Sequence, residues 1–242
     1  MASESGDTKL LGNFDQLSEI VATHPDYKPA NEKIKVPALK TQSATAKNVM
    51  VTVSQAEAAF NTAVNERKDL FANVPGLMSR SGNMLKVSDA SRGTLDDAQG
   101  LRRKITGQRK TAKVKDDPGT PPNEAVKTHS VSQQSFASIA GHVDDYIAIV
   151  ETVPGYQPNE QELTVAGLKT FSSDLKAKNE AVNVAFAALR AARGQRDELL
   201  YLAEDCIVNI GLLVKAYVRA AFGPDSQIFK SIKGIGFKRQ KK

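Results

Sequence analysis

Two runs of lysine and arginine carry the densest charge in the chain, RRKITGQRKTAKVK at 102–115 and KSIKGIGFKRQKK at 230–242, and neither holds an acidic residue. Their cations are Arg102, Arg103, Lys104, Arg109, Lys110, Lys113 and Lys115 in the first run, and Lys230, Lys233, Lys238, Arg239, Lys241 and Lys242 in the second. Such clusters bind polyanions by releasing counterions, which gives affinity without sequence preference. Three roles are open to them: contact with nucleic acid or the ribosome, docking on the acidic surface of the same chain or a neighbour, and simple solvation of a helix end. Phe237 is the one aromatic residue in either run, so base stacking has little support. Without these cations the net charge of +6 becomes −7, with 20 basic residues against 27 acidic ones, so two basic tails are set against an acidic body.

Other chemistry is sparse. His24, His129 and His142 show no i, i+4 pairing of metal-ligand type, so no metal site is expected. Cys206 falls on an apolar helical stripe, where a thiol serves as core, and a single cysteine excludes an internal disulfide. The glycines of KGIGFK at 233–238 neither follow a strand nor open a helix, so they do not form a phosphate loop. Adjacent acids such as Asp96–Asp97 and Asp144–Asp145 point to different helix faces. The expectation is a protein without cofactor and without catalysis.

These residues sit on a repeated framework. The turn PDYKPAN at 25–31 recurs as PGYQPN at 154–159, and a single register that lays Phe14 on Val143 aligns Phe14–Lys86 with Val143–Lys215 without a gap. Of the 73 aligned positions 22 are identical, where composition alone would give roughly five. The chain reads as an internal duplication. In each copy a short amphipathic helix, with Phe14, Leu17, Ile20 and Val21 or Val143, Tyr146, Ile149 and Val150, is stopped by the prolines of the turn. Tyr27 and Tyr156 then read as structural: ring against the helix pair, hydroxyl on water or a carbonyl, in preference to a peptide-docking loop.

A long helix follows, from about 33 to 73 and from about 162 to 202, roughly 60 Å at 1.5 Å per residue. A heptad frame places Leu39, Ala46, Val53 and Phe60, or Leu168, Leu175, Val182 and Leu189, at a positions, with alanines at several d positions that let helices approach closely. Arg67 and Arg196 occupy the same a position in the two copies. A buried arginine needs a carboxylate or carbonyl partner and fixes register at some cost, so a structural role is preferred to anion or partner binding. A third helix spans Leu77 to about Val87, and Glu204 to about Phe222; a short last helix or turn is placed near 94–104 and 226–232.

The fold class is therefore all-α, an internally duplicated, elongated bundle with long antiparallel helices. Its parts are a flexible N-terminus at 1–12, repeat 1 with its basic tail at 13–113, a proline-rich linker at 114–130, and repeat 2 with its basic tail at 131–242. Neither a secretory leader nor an apolar run long enough for a membrane span is visible, so the cytoplasm is the expected compartment. The run LKTFSSDLKAKNEAVNVAFAALRAARGQRDELLY at 168–201, with KAYVRAAFGPDSQIFKSIKGIGF at 215–237, resembles a group of uncharacterised bacterial helical proteins that close on YVxxxFGxxSxxFK. That resemblance implies a helical bundle and nothing catalytic. The reading that results is a structural or scaffolding protein contacting protein partners or itself; the alternative is nucleic-acid or ribosome binding by the basic tails. Membrane insertion fits poorly, since the alanine-rich stripes would bury little area in lipid.

Overall fold

The computed structural model describes residues 4–108 and 134–238, and among them all regular structure is helical. Helix α1 is Glu4–Ala22, α2 Val36–Ala72, α3 Val74–Lys86, α4 Arg92–Thr106, α5 Phe136–Glu151, α6 Val165–Asp197, α7 Ile207–Phe222 and α8 Gln227–Ile232. No helix is long and apolar enough to cross a membrane, among the described residues. The two long helices have 37 and 33 residues, about 55 and 50 Å at the standard rise.

The boundaries follow from local chemistry. Ser91, Ser135 and Ser226 cap α4, α5 and α8, each side chain accepting a backbone N–H three residues on. Pro75 in the first turn of α3 separates it from α2. Gly107, at φ 71°, ends α4 in the left-handed conformation. At the corresponding break of the second long helix the chain instead passes through a π-helical turn, Glu198–Leu202, and α7 starts only at Ile207, later than the expected Glu204.

Two regions are placed more closely than the sequence allows. The N-terminal residues expected to be flexible at 1–12 are helical from Glu4, because Leu10 and Leu11 extend the stripe of Phe14, Leu17 and Val21 into the core. The first basic run begins inside α4, the short last helix placed near 94–104: Arg102, Arg103 and Lys104 stand in its last turns, before Gly107 breaks the helix. Residues 109–133, which include the whole of the expected linker at 114–130, lie outside the described residues, as do 239–242.

The chain divides into two compact units, Met1–Phe60 with Ala185–Lys242, and Asn61–Val184. Unit 1 is thus assembled from the two ends of the chain. Its core gathers Phe14, Leu17, Val21, Leu39, Leu200, Ile207, Val214 and Ile232 from α1, α2, α7, α8 and the π-helical turn. Unit 2 packs Met78, Leu85, Val143, Tyr146, Leu168 and Leu175, with α4 lying on α3 and α5. Each fully buried Leu, Ile or Phe side chain contributes about 1.5–3 kcal/mol relative to exposure. Along α2 and α6 the a positions Leu39, Ala46, Val53, Leu168, Leu175, Val182 and Leu189 are buried, whereas d positions such as Val49, Ala56, Phe171 and Ala185 are less enclosed.

Positions 129 residues apart make matching contacts. The Tyr27 hydroxyl donates to the Ile34 carbonyl at 2.7 Å, and that of Tyr156 to the Leu163 carbonyl at 2.8 Å. Each tyrosine thereby ties the proline turn to a single 3-10 turn, Glu32–Ile34 or Gln161–Leu163, that leads into the long helix. Asp15 accepts from Ser43 and pairs with Lys47 at 2.7 Å; Asp144 accepts from Ser172 and pairs with Lys176 at 2.6 Å.

Candidate functional site

The seam arginine Arg196, in the last turn of α6, is nearly enclosed in unit 1. Its Nη1 lies 3.3 Å from Asp7 Oδ2, while Nε and Nη2 donate to Asp197 Oδ1 at 3.0 and 2.8 Å. The Asp7 side chain is 2% exposed and that of Arg196 12%. The Tyr201 hydroxyl, on the π-helical turn, donates to Asp7 Oδ1. Asp7 Oδ2 accepts no hydrogen bond and is met by the Arg196 charge alone. Burial, then Asp7 itself, pushes the Tyr201 phenol well above its ordinary range. Burial works against the Arg196 cation, but the hydrogen bonds to Asp197 and the charge of Asp7 outweigh it and hold the guanidinium protonated. Asp7 sits in the first turns of α1, where a helix N-terminus favours negative charge. Carboxylate, guanidinium and phenol thus engage one another rather than an open cavity.

Arg67 meets something different in unit 2. Its Cζ stands 4.0 Å above the Phe136 ring, which also packs edge-on against Phe71 at 4.8 Å between centroids. The Nε is buried without a hydrogen-bond partner. The expected carboxylate or carbonyl is replaced by an aromatic face, a cation–π contact. Phe136 lies 129 positions after Asp7, as Arg196 lies 129 after Arg67, and both arginines end on the opening turns of a helix, α1 or α5.

A second buried cluster belongs to unit 2 alone. Tyr146 donates to Ser81 Oγ at 3.0 Å, Ser81 lies 2.7 Å from the Tyr156 hydroxyl, and Tyr156 donates to the Leu163 carbonyl. Since Tyr156 spends its proton on Leu163, Ser81 must donate to Tyr156 and accept from Tyr146. Burial raises both phenols, partly offset by the bond to Ser81. In unit 1 the matching place of Ser81 is taken by Ile210 and that of Tyr146 by Leu17, and Tyr27 instead packs edge-on against Tyr217 at 5.4 Å.

The basic residues are placed on two kinds of support. Arg102 folds over Gly82, where a Cβ would come within 2.3 Å of its Nη1. Arg103 and Lys104 occupy the last turn of α4, where cations suit the helix dipole. Lys230, in the last turn of α8, and Lys233 and Lys238 beyond it are exposed. The segment that carries them is pinned: Lys215 Nζ donates to the Lys233 and Ile235 carbonyls at 2.8 and 2.9 Å, and Asn13 Nδ2 to the Gly236 carbonyl at 2.8 Å. Phe237 packs on Gly211 and edge-on to Phe14. Burial lowers the affinity of Lys215 for its proton. Arg109, Lys110, Lys113, Lys115, Arg239, Lys241 and Lys242 lie outside the described residues.

Among the described residues, unit 2 holds an open groove of about 620 Å³ lined by Glu160, Glu162, Phe171 and Asp174 and another of about 380 Å³ between α5 and α6, where Asp144 and Glu151 are already paired with Lys176 and Lys169. Among the described residues no group of three or more His, Cys, Asp or Glu is placed to hold a metal ion. Cys206 is buried, and His24 lies against Phe222 at 4.8 Å. The two arginines and the two turn tyrosines are legible in the sequence, whereas Asp7, Phe136 and Ser81 are not. The repeat register, extended seven positions before Phe14, would have paired Asp7 with Phe136. Comparison with protein-family models, with curated proteins and with solved structures returns no match.

Proposed function

We propose that the chain is a fused pair of copies of one helical module, with α2 and α6 antiparallel, and that it works without catalysis as a scaffold contacting protein partners or further copies of itself. Within unit 1, Glu57 meets Arg193 and Phe60 meets Phe186; within unit 2, Glu66 meets Lys178, so the partner position on α6 rises as that on α2 falls. The matching turn and Asp–Ser–Lys contacts at equivalent positions support the duplication.

The observation that carries the scaffold reading is where apolar side chains remain exposed. Phe186 on α6 is 48% exposed, Leu212 and Leu213 on α7 are each 39%, and Leu202 on the turn between these helices is 59%. Val51 in the first piece of unit 1, and Val87 and Val184 in unit 2, are exposed as well, while the polar clusters described above are turned inward. Where such side chains form a contiguous patch they mark a protein contact surface, and Leu212 and Leu213 on α7 with Leu202 before it are the group from which we build that reading. With one buried free cysteine, the cytoplasm is a fitting compartment. The test is light scattering on the full chain beside a Phe186→Ser/Leu213→Ser variant: loss of association with an unchanged helical signal supports the reading, and association unaffected by the variant removes it.

The pinned segment at 230–238 favours a second reading, polyanion binding. Lys230, Lys233 and Lys238 project from a backbone held by Lys215 and Asn13, so little ordering is lost on contact. Replacing those three lysines by serine should lower the salt slope of any nucleic-acid binding by about three phosphate contacts. A slope that does not change would exclude them as the site.

A further inference from the structure

We infer that the solvent face of α7 is the surface on which two copies of this chain pair, the two α7 helices running antiparallel about a two-fold axis at Leu212 and Leu213. This rests on the scaffold reading above and gives it one defined contact.

Helix α7 turns one side into the core of unit 1: Ile207, Ile210, Val214 and Val218 are buried, and Gly211 lies against the Phe237 ring. At 3.6 residues per turn, Leu212, Ala216 and Arg219 form a line along the opposite side, flanked by Leu213 and Ala220, and all five are exposed. The polar neighbours of this line are engaged elsewhere. Asn209 Nδ2 donates to the Ala203 and Glu204 carbonyls, and Lys215 Nζ to the Lys233 and Ile235 carbonyls. The middle of the face is therefore apolar, while its ends carry opposite charge: Glu204 and Asp205 just before the helix, Arg219 in its last turn. Among the described residues, none of these three side chains is in an ion pair. Asp205 stands seven residues before Leu212 and Arg219 seven after it, about 10 Å to either side. An antiparallel pair centred on Leu212 and Leu213 brings each Asp205 opposite the Arg219 of the second copy and opposes the two helix dipoles. A parallel pair would set like charges side by side at both ends. The alanines let the two helices approach closely. This charge order identifies the occupant: one chain has one α7, so a second copy supplies the reversed face. The positions 129 residues earlier, Gly76, Asn83, Met84 and Ala90, carry neither charge, so α3 of unit 2 offers no substitute. A contact of one helix with one helix falls below about 1,200 Å², so the dimer is reversible and depends on concentration.

Exposed charges allow a test that leaves the core untouched. In full-length Glu204→Lys/Asp205→Lys both ends of the face are positive, and in full-length Arg219→Glu both are negative. Sedimentation velocity is run at low salt, where exposed charges are least screened. The unaltered chain should pass from one-chain to two-chain mass with rising concentration, and each variant alone should dissociate about tenfold more readily. An equal mixture of the two variants should recover the two-chain mass, because in the mixed dimer both ends again meet opposite signs. Should the lysines loosen the start of α7, Ala216→Glu is the second variant: it sets a carboxylate in the apolar middle of an intact helix and should abolish the dimer. Variants that associate as the unaltered chain does, or a mixture no better than its parts, would overturn the inference. If association is nevertheless lost in Phe186→Ser/Leu213→Ser, the scaffold reading stands without this contact. An unaltered chain of single-chain mass at every concentration would overturn both.

Discussion

Arg196, on the second long helix, and Asp7, near the start of the first helix, form a nearly solvent-free ion pair at 3.3 Å between opposite ends of the chain. Arg67, 129 positions before Arg196, instead covers the ring of Phe136, 129 positions after Asp7. One geometric plan thus carries two chemistries, an ion pair in unit 1 and a cation–π contact in unit 2. The two arginines should therefore respond differently to removal.

Arg196→Met leaves the Asp7 carboxylate enclosed with Tyr201 as its remaining partner. Stranding one member of a buried pair costs about 3–5 kcal/mol, and urea unfolding should show a loss of that size. The double variant Asp7→Leu/Arg196→Met should recover most of it, since no buried charge is then left alone.

Arg67→Met should be far milder. It forfeits a cation–π contact of about 0.5–2 kcal/mol, but also removes a guanidinium whose Nε is buried without a partner. A loss as large as that of Arg196→Met, measured in the same urea series, would show that the two positions are energetically alike after all.

Tyr156→Phe should destabilise more than Tyr27→Phe. Both lose a hydroxyl–carbonyl bond, about 1 kcal/mol net, but the first also strands the Ser81 hydroxyl in a site where that serine is fully buried. Equal losses would mean that Ser81 finds another acceptor.

Burial holds the phenols of Tyr27, Tyr146, Tyr156 and Tyr201 above their ordinary value, so the fold favours their neutral forms. The sign follows: this stability is complete below the unfolded phenol value of about 10 and is lost as pH rises through the raised folded values. The urea midpoint should fall as pH is raised past about 10, and most tyrosinate absorbance should appear together with unfolding rather than before it.

Gly155→Ala brings a methyl to within 2.5 Å of the Ser88 carbonyl oxygen, a backbone atom that cannot swing away. A loss of ~1–3 kcal/mol is expected from overpacking. Gly211→Ala meets the Phe237 ring instead, and the readout there is faster proteolysis of the C-terminal segment, because the ring is displaced before the core is.

The long helices were legible because the spacing of apolar residues repeats locally. Leu39, Ala46 and Val53 mark a buried stripe whatever it packs against. Which module covers that stripe is not a local property, so nothing near Leu39 foretold that α7 and α8 would join it in one core. Asp7 was hidden for a related reason: it precedes the aligned repeat and stands in a polar run whose only apolar residues are Met1, Ala2, Leu10 and Leu11. The tyrosines were readable because prolines on both sides fix the turn that orients them. Gly82 and Gly211 recur at equivalent positions, yet the crossing partners that make a side chain intolerable there, Arg102 and Phe237, come from different kinds of segment.

The measurement that tests the scaffold account most directly is size-exclusion chromatography with light scattering and absorbance at two ultraviolet wavelengths, on untagged full-length protein before and after nuclease. With no tryptophan in the chain, bound nucleic acid would dominate the absorbance. The account predicts protein free of nucleic acid, larger than one chain, with a mass that nuclease leaves unchanged. A clean single-chain mass, or a larger one that collapses with nuclease or high salt, would contradict it.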